Sequence, residues 1–345
     1  MKRITGLTAK FRFTVSLLLI FVFFSSYTVF AAPDSLIPVG KTVGITVSMD
    51  GVSVVNTAEF ETSDGKMCSP AAESGILPGD KLIELDGRKI TSVHDLEDAT
   101  KNLKAEELTI VYERGGDRHE AGITPRADIS DGRLRIGVWV KDSASGIGTI
   151  TYLEPESKSF GALGHGICTS SGILIGITGG SISEAEISSV KKGEKGAPGE
   201  LSGTFSDKNK VLGEVGSNTD TGVFGHISAD AEDLGAAAIP VAKRDEVHEG
   251  DAKIMSNTEG SSISEYSVKI TKINDDESSH KGMIIKVTDS ALLEKTGGIV
   301  QGMSGSPIIQ DGKLVGAVTH VFINDPTRGY AIFIENMLAE AEGTN

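Results

Sequence analysis

The densest cluster of chemistry-bearing residues is a turn at residues 302–307, which reads Gly-Met-Ser-Gly-Ser-Pro. Glycines on both sides of the serine lack a Cβ atom, so the chain can turn tightly and expose the Ser304 hydroxyl. The backbone N–H groups of Gly302 and Ser304 can then converge on one point, where they would stabilise the oxyanion of an acyl-transfer intermediate. The alternative interpretation is an ordinary β-turn, but Pro307 and the strand–hairpin–strand pattern after it favour a nucleophile.

A serine nucleophile needs a base, and the chain has seven histidines. His165 lies in the run Phe-Gly-Ala-Leu-Gly-His-Gly-Ile at 160–167, where little but a functional side chain projects. His226 has a similar but weaker setting, and we interpret His320 as a pocket or core residue on a strand near the nucleophile. The order of histidine before serine favours His165 as the base.

Other kinds of chemistry find no support in the sequence. Nucleotide-binding and zinc motifs are missing from the sequence, and the two cysteines, Cys68 and Cys168, suggest neither a disulfide framework nor a thiolate site, so we predict no cofactor and no metal. Four basic residues and no acid occur in residues 1–32, which leaves residues 33–345 with a formal charge of −19. Such a surface repels phosphate, so nucleic acid is not a predicted partner.

The first 32 residues have the order of a signal peptide. Residues 1–12 carry four positive charges, the stretch from Phe13 to Phe24 is almost wholly apolar, and small residues precede position 32. An apolar count carried on to Phe30 reaches 18 residues, which is marginal for a membrane span. Residues 13–30 are therefore either part of a cleaved signal or a retained anchor, and in both cases the chemistry is exported.

Residues 33–125 have a different pattern, with short β-type runs, a Pro-Gly turn and an amphipathic helix over Val93–Leu103 capped by Ser92. The run Ala-Ala-Glu-Ser-Gly-Ile-Leu-Pro-Gly-Asp-Lys-Leu-Ile at 71–83 resembles the PDZ modules of secreted bacterial proteases. This resemblance implies a groove between a strand and the helix, where an extended peptide adds to the sheet. The predicted carboxylate-binding loop is Val43-Gly44-Ile45. The alternative is a rigid spacer in which Val43 and Ile45 are core residues.

Residues 126–345 contain many short β-type runs separated by glycine turns, which predicts barrels or a sandwich. The turn at 302–307 resembles the nucleophile turn of chymotrypsin-like serine peptidases. The predicted fold is therefore mainly β, with a PDZ domain followed by a chymotrypsin-like double β-barrel serine peptidase domain. The predicted segments are 1–32, 33–125 and 126–345.

The whole chain resembles the PDZ-bearing sporulation serine peptidases of family S55, most specifically over residues 296–309. The resemblance implies Ser304 as nucleophile, His165 as base and Asp289 as the acid that orients the histidine. Chymotrypsin-like enzymes place that acid nearer the histidine, which leaves Asp220 and Asp230 as alternatives.

The same resemblance predicts the biological setting. It implies a peptidase exported into the space between the two forespore membranes. There it would cleave a protein that regulates a membrane-embedded metalloprotease. This cleavage would activate the processing of pro-sigma-K. The rival hypothesis is a non-catalytic PDZ scaffold of the cell envelope, in which Ser304 is an ordinary turn residue.

Overall fold

A computed structural model describes residues 33–169, 172–205, 210–228, 234, 237–274 and 280–343. The architecture of this part of the chain is mainly β, as predicted. Across the same residues, no helix is long and apolar enough to span a membrane. The predicted signal peptide or anchor at residues 1–32 lies outside the described residues.

The N-terminal part of the chain alternates short strands with two helices. Its strands are β1 (Ser35–Pro38), β2 (Thr42–Thr57), β3 (Phe60–Glu61), β4 (Met67–Cys68), β5 (Lys81–Leu85), β6 (Arg88–Lys89), β7 (Leu108–Arg114), β8 (Asp117–Ile123), β9 (Arg126–Ala127) and β10 (Leu134–Arg135). Its helices are α1 (Pro70–Glu73) and α2 (Val93–Thr100). Ser92 caps α2 as predicted, because its hydroxyl accepts the Asp95 N–H while the Asp95 carboxylate accepts the Ser92 N–H.

In the remaining described residues, most of the regular elements are strands. The middle part contains β11 (Val138–Leu153), β12 (Ser159–Ala162), β13 (Ile177–Glu184), β14 (Glu186–Lys191), β15 (Glu200–Thr204), β16 (Val211–Thr219), β17 (Gly222–Ile227) and β18 (Ile239–Pro240). A short 3-10 helix at Arg244–Glu246 follows. The C-terminal part contains β19 (Gly250–Ser256), β20 (Ser264–Ile273), β21 (Met283–Val287), α3 (Ser290–Thr296), β22 (Pro307–Gln310), β23 (Lys313–Phe322), β24 (Asp325–Phe333) and α4 (Ile334–Gly343).

Two barrels of six strands each form the body of the molecule. In the first, β2, β11, β12, β17, β16 and β13 pair in turn, and β13 pairs back to β2. In the second, β19, β20, β21, β24, β23 and β22 close in the same way. Each barrel has its own apolar core, and a third core joins the two barrels under α4. Residues of that shared core are Leu36, Tyr152, Phe224, Leu314, Ala317, Ile332 and Met337.

The small sheet-and-helix module lies between the first two strands of the first barrel. Strands β2 and β11 each have 16 residues and form one long ribbon. Its inner end pairs residues 42–48 with 143–149 inside the barrel, and its outer end pairs 53–57 with 138–141 inside the module. The module core accordingly contains Val52, Leu96 and Ile136, whereas Val47 packs in the barrel.

This packing differs from the predicted segment boundaries. We placed residues 33–125 in the PDZ module and residues 126–345 in the peptidase, yet strand residues 42–48 belong to the barrel core. The physical cause is visible at Gly51, whose φ of +94° interrupts β2. Before it the buried apolar side chains stand at odd positions such as Val43 and Val47, and after it they stand at even positions such as Val52 and Val54.

Candidate active site

The nucleophile turn lies between α3 and β22 in the second barrel. Gly302 and Gly305 have φ values of +96° and +94°, in the region that side chains disfavour. Gly305 also has no room for a side chain, since a Cβ atom there would stand 2.0 Å from the Thr149 carbonyl oxygen. Both glycines are therefore needed for the fold of the turn, which leaves Ser304 half-buried between them.

The backbone of the turn leaves two N–H groups available. The Gln301 carbonyl accepts the Leu201 N–H (2.9 Å), and the Met303 carbonyl accepts the Ser306 N–H (3.0 Å). Because N–H and C=O point in opposite directions across a trans peptide, the N–H groups of Gly302 and Ser304 point away from these partners. Within the described part of the chain, neither N–H has a hydrogen-bond acceptor. The oxyanion hole predicted at Gly302 and Ser304 is compatible with this arrangement and stays a prediction.

His165 follows the end of β12 in the first barrel. The chain reverses there through Leu163 and Gly164, whose φ values are +68° and +69°. The His165 Nδ1 atom lies 2.9 Å from the Gly166 carbonyl oxygen. A carbonyl oxygen only accepts hydrogen bonds, so Nδ1 carries the proton and Nε2 presents its lone pair. Burial lowers the pKa of His165, although the Gly166 carbonyl opposes this effect, and the neutral imidazole is the form that a general base requires.

The nucleophile turn and the His165 loop both lie where the barrels touch. The Thr149 carbonyl accepts the Leu163 N–H (3.1 Å), and the Thr149 N–H donates to the Ser304 carbonyl oxygen (3.0 Å). A Cβ atom on Gly164 would stand 3.0 Å from Thr319 Cγ2, and the Ser304 hydroxyl donates to the Thr319 carbonyl oxygen (2.7 Å). The nucleophile turn and the His165 loop therefore contact the same two residues.

A second imidazole lies beside the predicted base. The ring centroids of His165 and His320 are 4.7 Å apart, with 37° between the planes. The pKa of His320 is lowered to about 4, first because packing removes part of its hydration and then because the charge of Lys281, and of His165 when that ring is protonated, disfavours a second positive charge. We interpreted His320 as a pocket or core residue, and the structure places it in the candidate site with its side chain exposed.

Asp289, the predicted orienting acid, is placed elsewhere. It is the N-cap residue of α3, and its Oδ1 accepts the N–H groups of Ala291 and Leu292 at 3.0 Å each. Its Oδ2 accepts the Ser267 N–H at 3.3 Å. Within the described residues no contact joins Asp289 to His165, whose Nδ1 is occupied by Gly166. The structure therefore does not bring together this pair, and the acid role of Asp289 stays a prediction.

The alternative acid Asp220 lies in the turn between β16 and β17, next to the His165 loop. Asn218, near the end of β16 just before that turn, binds both the N–H (2.8 Å) and the carbonyl (2.9 Å) of Ile167. The pKa of the Cys168 thiol is raised, first by burial and then by the Asp220 charge. Asp230, the other alternative, lies outside the described residues.

The peptide-binding loop that we predicted at Val43-Gly44-Ile45 is wrong. These residues lie in β2, paired on one side with β11 and on the other with β13, so no free edge remains for a peptide. Val43 and Ile45 are buried in the first barrel. Gly44 faces Phe205 so closely that a Cβ atom would stand 2.1 Å from its ring. The rigid-core interpretation, which we had kept as the alternative, describes Val43 and Ile45.

A groove of the predicted kind lies instead between α2 and the outer end of β11. Its helix side includes Val93, Leu96 and Thr100, and its strand side includes Val138 and Val140. Residues 138–141 of β11 pair with β2 along one edge, and the structure shows no strand on their other edge among the described residues. The Asp142 carboxylate closes one end by accepting the Val93 N–H (2.8 Å). The cleft volume of about 1260 Å³ exceeds that of most small-molecule pockets, which suits an extended peptide.

Comparison with known families agrees with this architecture. The model of the SpoIVB peptidase S55 family matches residues 132–338, and a PDZ domain model matches residues 41–124. The chain belongs to the SpoIVB peptidase S55 family. Membership of this family makes it a serine peptidase, and the predicted fold class of a PDZ domain with a chymotrypsin-like β-barrel peptidase is confirmed.

Individual relatives of this S55 peptidase cover only parts of it. A candidate zinc metalloprotease of Neisseria meningitidis is 39% identical over 57 residues, which are 16% of this chain and 13% of that protein. One from Brucella suis is 27% identical over 90 residues, 25% of this chain and 24% of that protein. The chain thus spans about a quarter or less of the length of these curated relatives.

Two solved structures are similar to parts of the S55 peptidase. The PDZ domain of an SdrC-like protein from Listeria monocytogenes is 27% identical, covers 27% of this chain and 90% of its own, and has a TM-score of 0.22. The active form of a Mycobacterium tuberculosis protease is 14% identical, covers 59% of this chain and 74% of its own, and has a TM-score of 0.32.

Proposed function

We propose that this S55 peptidase is an exported endopeptidase in which Ser304 attacks a peptide carbonyl and His165 is the base. The observation that supports this proposal is the shared contact of the nucleophile turn and the His165 loop with Thr149 and Thr319. A rotation about the Ser304 Cα–Cβ bond would exchange the Thr319 carbonyl for the lone pair of His165 Nε2.

The chemistry then proceeds in two steps. The Ser304 oxygen bonds to the carbonyl carbon while its proton passes to His165, and the N–H groups of Gly302 and Ser304 bind the oxyanion. His165 gives the proton to the departing amine as the C–N bond breaks, which leaves an acyl-enzyme. Water activated by the same imidazole hydrolyses this ester and frees Ser304.

We further propose that the groove between α2 and β11 binds an extended peptide of the substrate or of a controlling partner. An added strand would pair with the free edge of residues 138–141. To test this, Thr100→Trp fills the groove, and Asp98→Trp on the same helix is the matched control, because Asp98 does not line it. We expect Thr100→Trp alone to slow cleavage of a folded protein substrate, while both variants cleave a short unstructured peptide normally. Equal rates on the folded substrate would contradict the peptide-binding role.

The proposed setting is the space between the two forespore membranes during endospore formation. The proposed substrate is a protein that restrains a membrane-embedded metalloprotease, so that its cleavage activates processing of pro-sigma-K. This part of the proposal rests on the resemblance to the sporulation peptidases. The test combines purified S55 peptidase with that regulator and compares cleavage by the wild type and by Ser304→Ala.

The rival function is a scaffold that binds envelope proteins without cleaving them. A fluorophosphonate probe distinguishes the two functions, because only an activated serine reacts with it. We expect the wild type to be labelled at Ser304, with labelling lost in Ser304→Ala and in His165→Ala. A wild-type protein that folds but takes up no label would favour the scaffold.

A further inference from the structure

Thr149 of β11 makes two hydrogen bonds that cross to the second barrel and one to the His165 loop of its own barrel. Its hydroxyl donates to the Gly302 carbonyl oxygen (2.7 Å), and its N–H donates to the Ser304 carbonyl oxygen (3.0 Å). Its own carbonyl accepts the Leu163 N–H (3.1 Å), two residues before His165. Thr149 is fully buried, so no water competes for these bonds.

The two bonds to the nucleophile turn hold the carbonyl groups on both sides of the Met303–Ser304 peptide. This peptide carries the Ser304 N–H, one of the two groups that would bind the oxyanion. A peptide unit rotates only through the φ and ψ angles that flank it. Fixing the Gly302 and Ser304 carbonyls therefore fixes the direction of the Ser304 N–H. Gly302 most needs such a restraint, since a glycine adopts many backbone conformations.

We infer that Thr149 is a positioning residue for the oxyanion hole, and that its hydroxyl sets the orientation of the Met303–Ser304 peptide for catalysis. This inference rests on the proposed function of Ser304. A buried threonine of the first barrel would thus align a turn in the second barrel. Because Thr149 is fully buried and would act only through the turn, its removal should alter the rate of acylation more than substrate binding.

The chain contains a matched control two residues along the same strand. Thr151 is also fully buried in β11, but its hydroxyl has no hydrogen-bond partner among the described residues. Thr149→Val and Thr151→Val therefore make the same chemical change at the same depth. Only the first removes a hydrogen bond to the nucleophile turn.

The experiment measures kcat and KM on a short peptide, together with the rate of fluorophosphonate labelling at Ser304. We expect Thr149→Val to lower kcat and the labelling rate by about 10- to 100-fold, because small misplacements of an oxyanion donor have effects of this order. KM should change by less than about twofold, since uniform binding is untouched. Thr149→Ser keeps the hydroxyl and should restore most of the rate, and Thr151→Val should behave as wild type.

Unfolding in urea is measured for every variant, and Thr149→Ala replaces Thr149→Val if the valine variant does not fold. Normal labelling of folded Thr149→Val or Thr149→Ala would overturn the inference while leaving Ser304 as nucleophile. Equal losses of kcat and labelling rate in Thr149→Val and Thr151→Val would also overturn it. The loss would then come from removing a buried hydroxyl and not from removing the hydrogen bond to Gly302. A wild-type protein that takes up no label would instead overturn the proposed function, and the inference with it.

Discussion

The Ser304 hydroxyl donates a hydrogen bond of 2.7 Å to the Thr319 carbonyl oxygen. The next residue, His320, packs against the His165 imidazole, with 4.7 Å between the ring centroids. A serine whose hydroxyl donates to a backbone carbonyl is a poor nucleophile, because a carbonyl oxygen accepts a hydrogen bond but is too weak a base to remove the proton. In the proposed mechanism, this arrangement is that of the serine before activation. Rotation of one side-chain torsion between staggered positions is the smallest movement that would begin the reaction.

The first prediction concerns the two serines of the turn. We expect Ser304→Ala to abolish peptide cleavage with little change in unfolding free energy, because the hydroxyl contributes one hydrogen bond at a half-buried position. Ser306→Ala should retain activity within about threefold, since the Ser306 hydroxyl is buried and has no partner among the described residues. Peptide cleavage and urea unfolding measure both effects. Activity in Ser304→Ala together with its loss in Ser306→Ala would reverse the assignment.

The second prediction separates a helix cap from a catalytic acid at Asp289. We expect Asp289→Ala to lower the unfolding free energy by about 1 kcal/mol, because the N–H groups at the start of α3 lose their acceptor. Asp289→Asn should restore most of this stability and keep kcat, since asparagine is also a good N-cap. If Asp289→Asn folded normally but lost about 10⁴ in kcat, as the corresponding change does in trypsin, Asp289 would be the orienting acid after all.

The third prediction tests how close Asp220 lies to the His165 loop. The Asp220 charge is the second cause, after burial, of the raised pKa of the Cys168 thiol. Asp220→Asn should therefore lower that pKa, so that Cys168 is alkylated faster at a given pH. The measurement uses a Cys68→Ser background with a single thiol. Glu214→Gln in β16 is the control, because Glu214 is not among the causes of the raised Cys168 pKa. An unchanged alkylation profile would place Asp220 too far away to act on this loop.

The fourth prediction concerns pH and the two adjacent imidazoles. The pKa of His320 is about 4 in the folded protein and near 6.5 in an unfolded chain, so the unfolded chain binds more protons between these values. Its contribution to stability is complete above pH 6.5 and is lost as the pH falls towards 4. Between pH 7.5 and pH 5, we expect His320→Gln to lose up to about 1 kcal/mol less unfolding free energy than the wild type. The value is modest because the side chain is partly exposed to solvent. Urea unfolding at both pH values gives this difference, and parallel losses in the two proteins would contradict it.

Much of the fold could be predicted because its signals are local. The glycines at 302 and 305, the Ser92 cap and the apolar alternation of β2 depend on neighbouring residues alone. The position of the PDZ groove could not be predicted in this way. It depends on β11 returning across about 90 residues to pair with β2, a contact to which the loop at 43–45 gives no clue.

The candidate site was predictable to a similar extent. Ser304 and His165 stand out because small residues surround them, whereas Thr149 lies in a strand with no special pattern, and its role depends on contacts across the barrels. His320 could be assigned only to a pocket or to the core, because an alternating strand does not reveal what faces it. The prediction for Asp289 came from family resemblance, and only the three-dimensional structure shows its carboxylate at the start of a helix.

The insertion of the PDZ module inside the first strand pair has a consequence for how the chain acquires its structure. Residues 42–48 leave the ribosome about 100 residues before the segment 143–149 with which they pair. The module between them has its own core and can fold while the rest is still being made. Once folded, it holds the two halves of the ribbon side by side and so removes most of the entropy cost of closing that loop. A lesion deep in the module, far from any peptide, would thus slow the maturation of the peptidase itself.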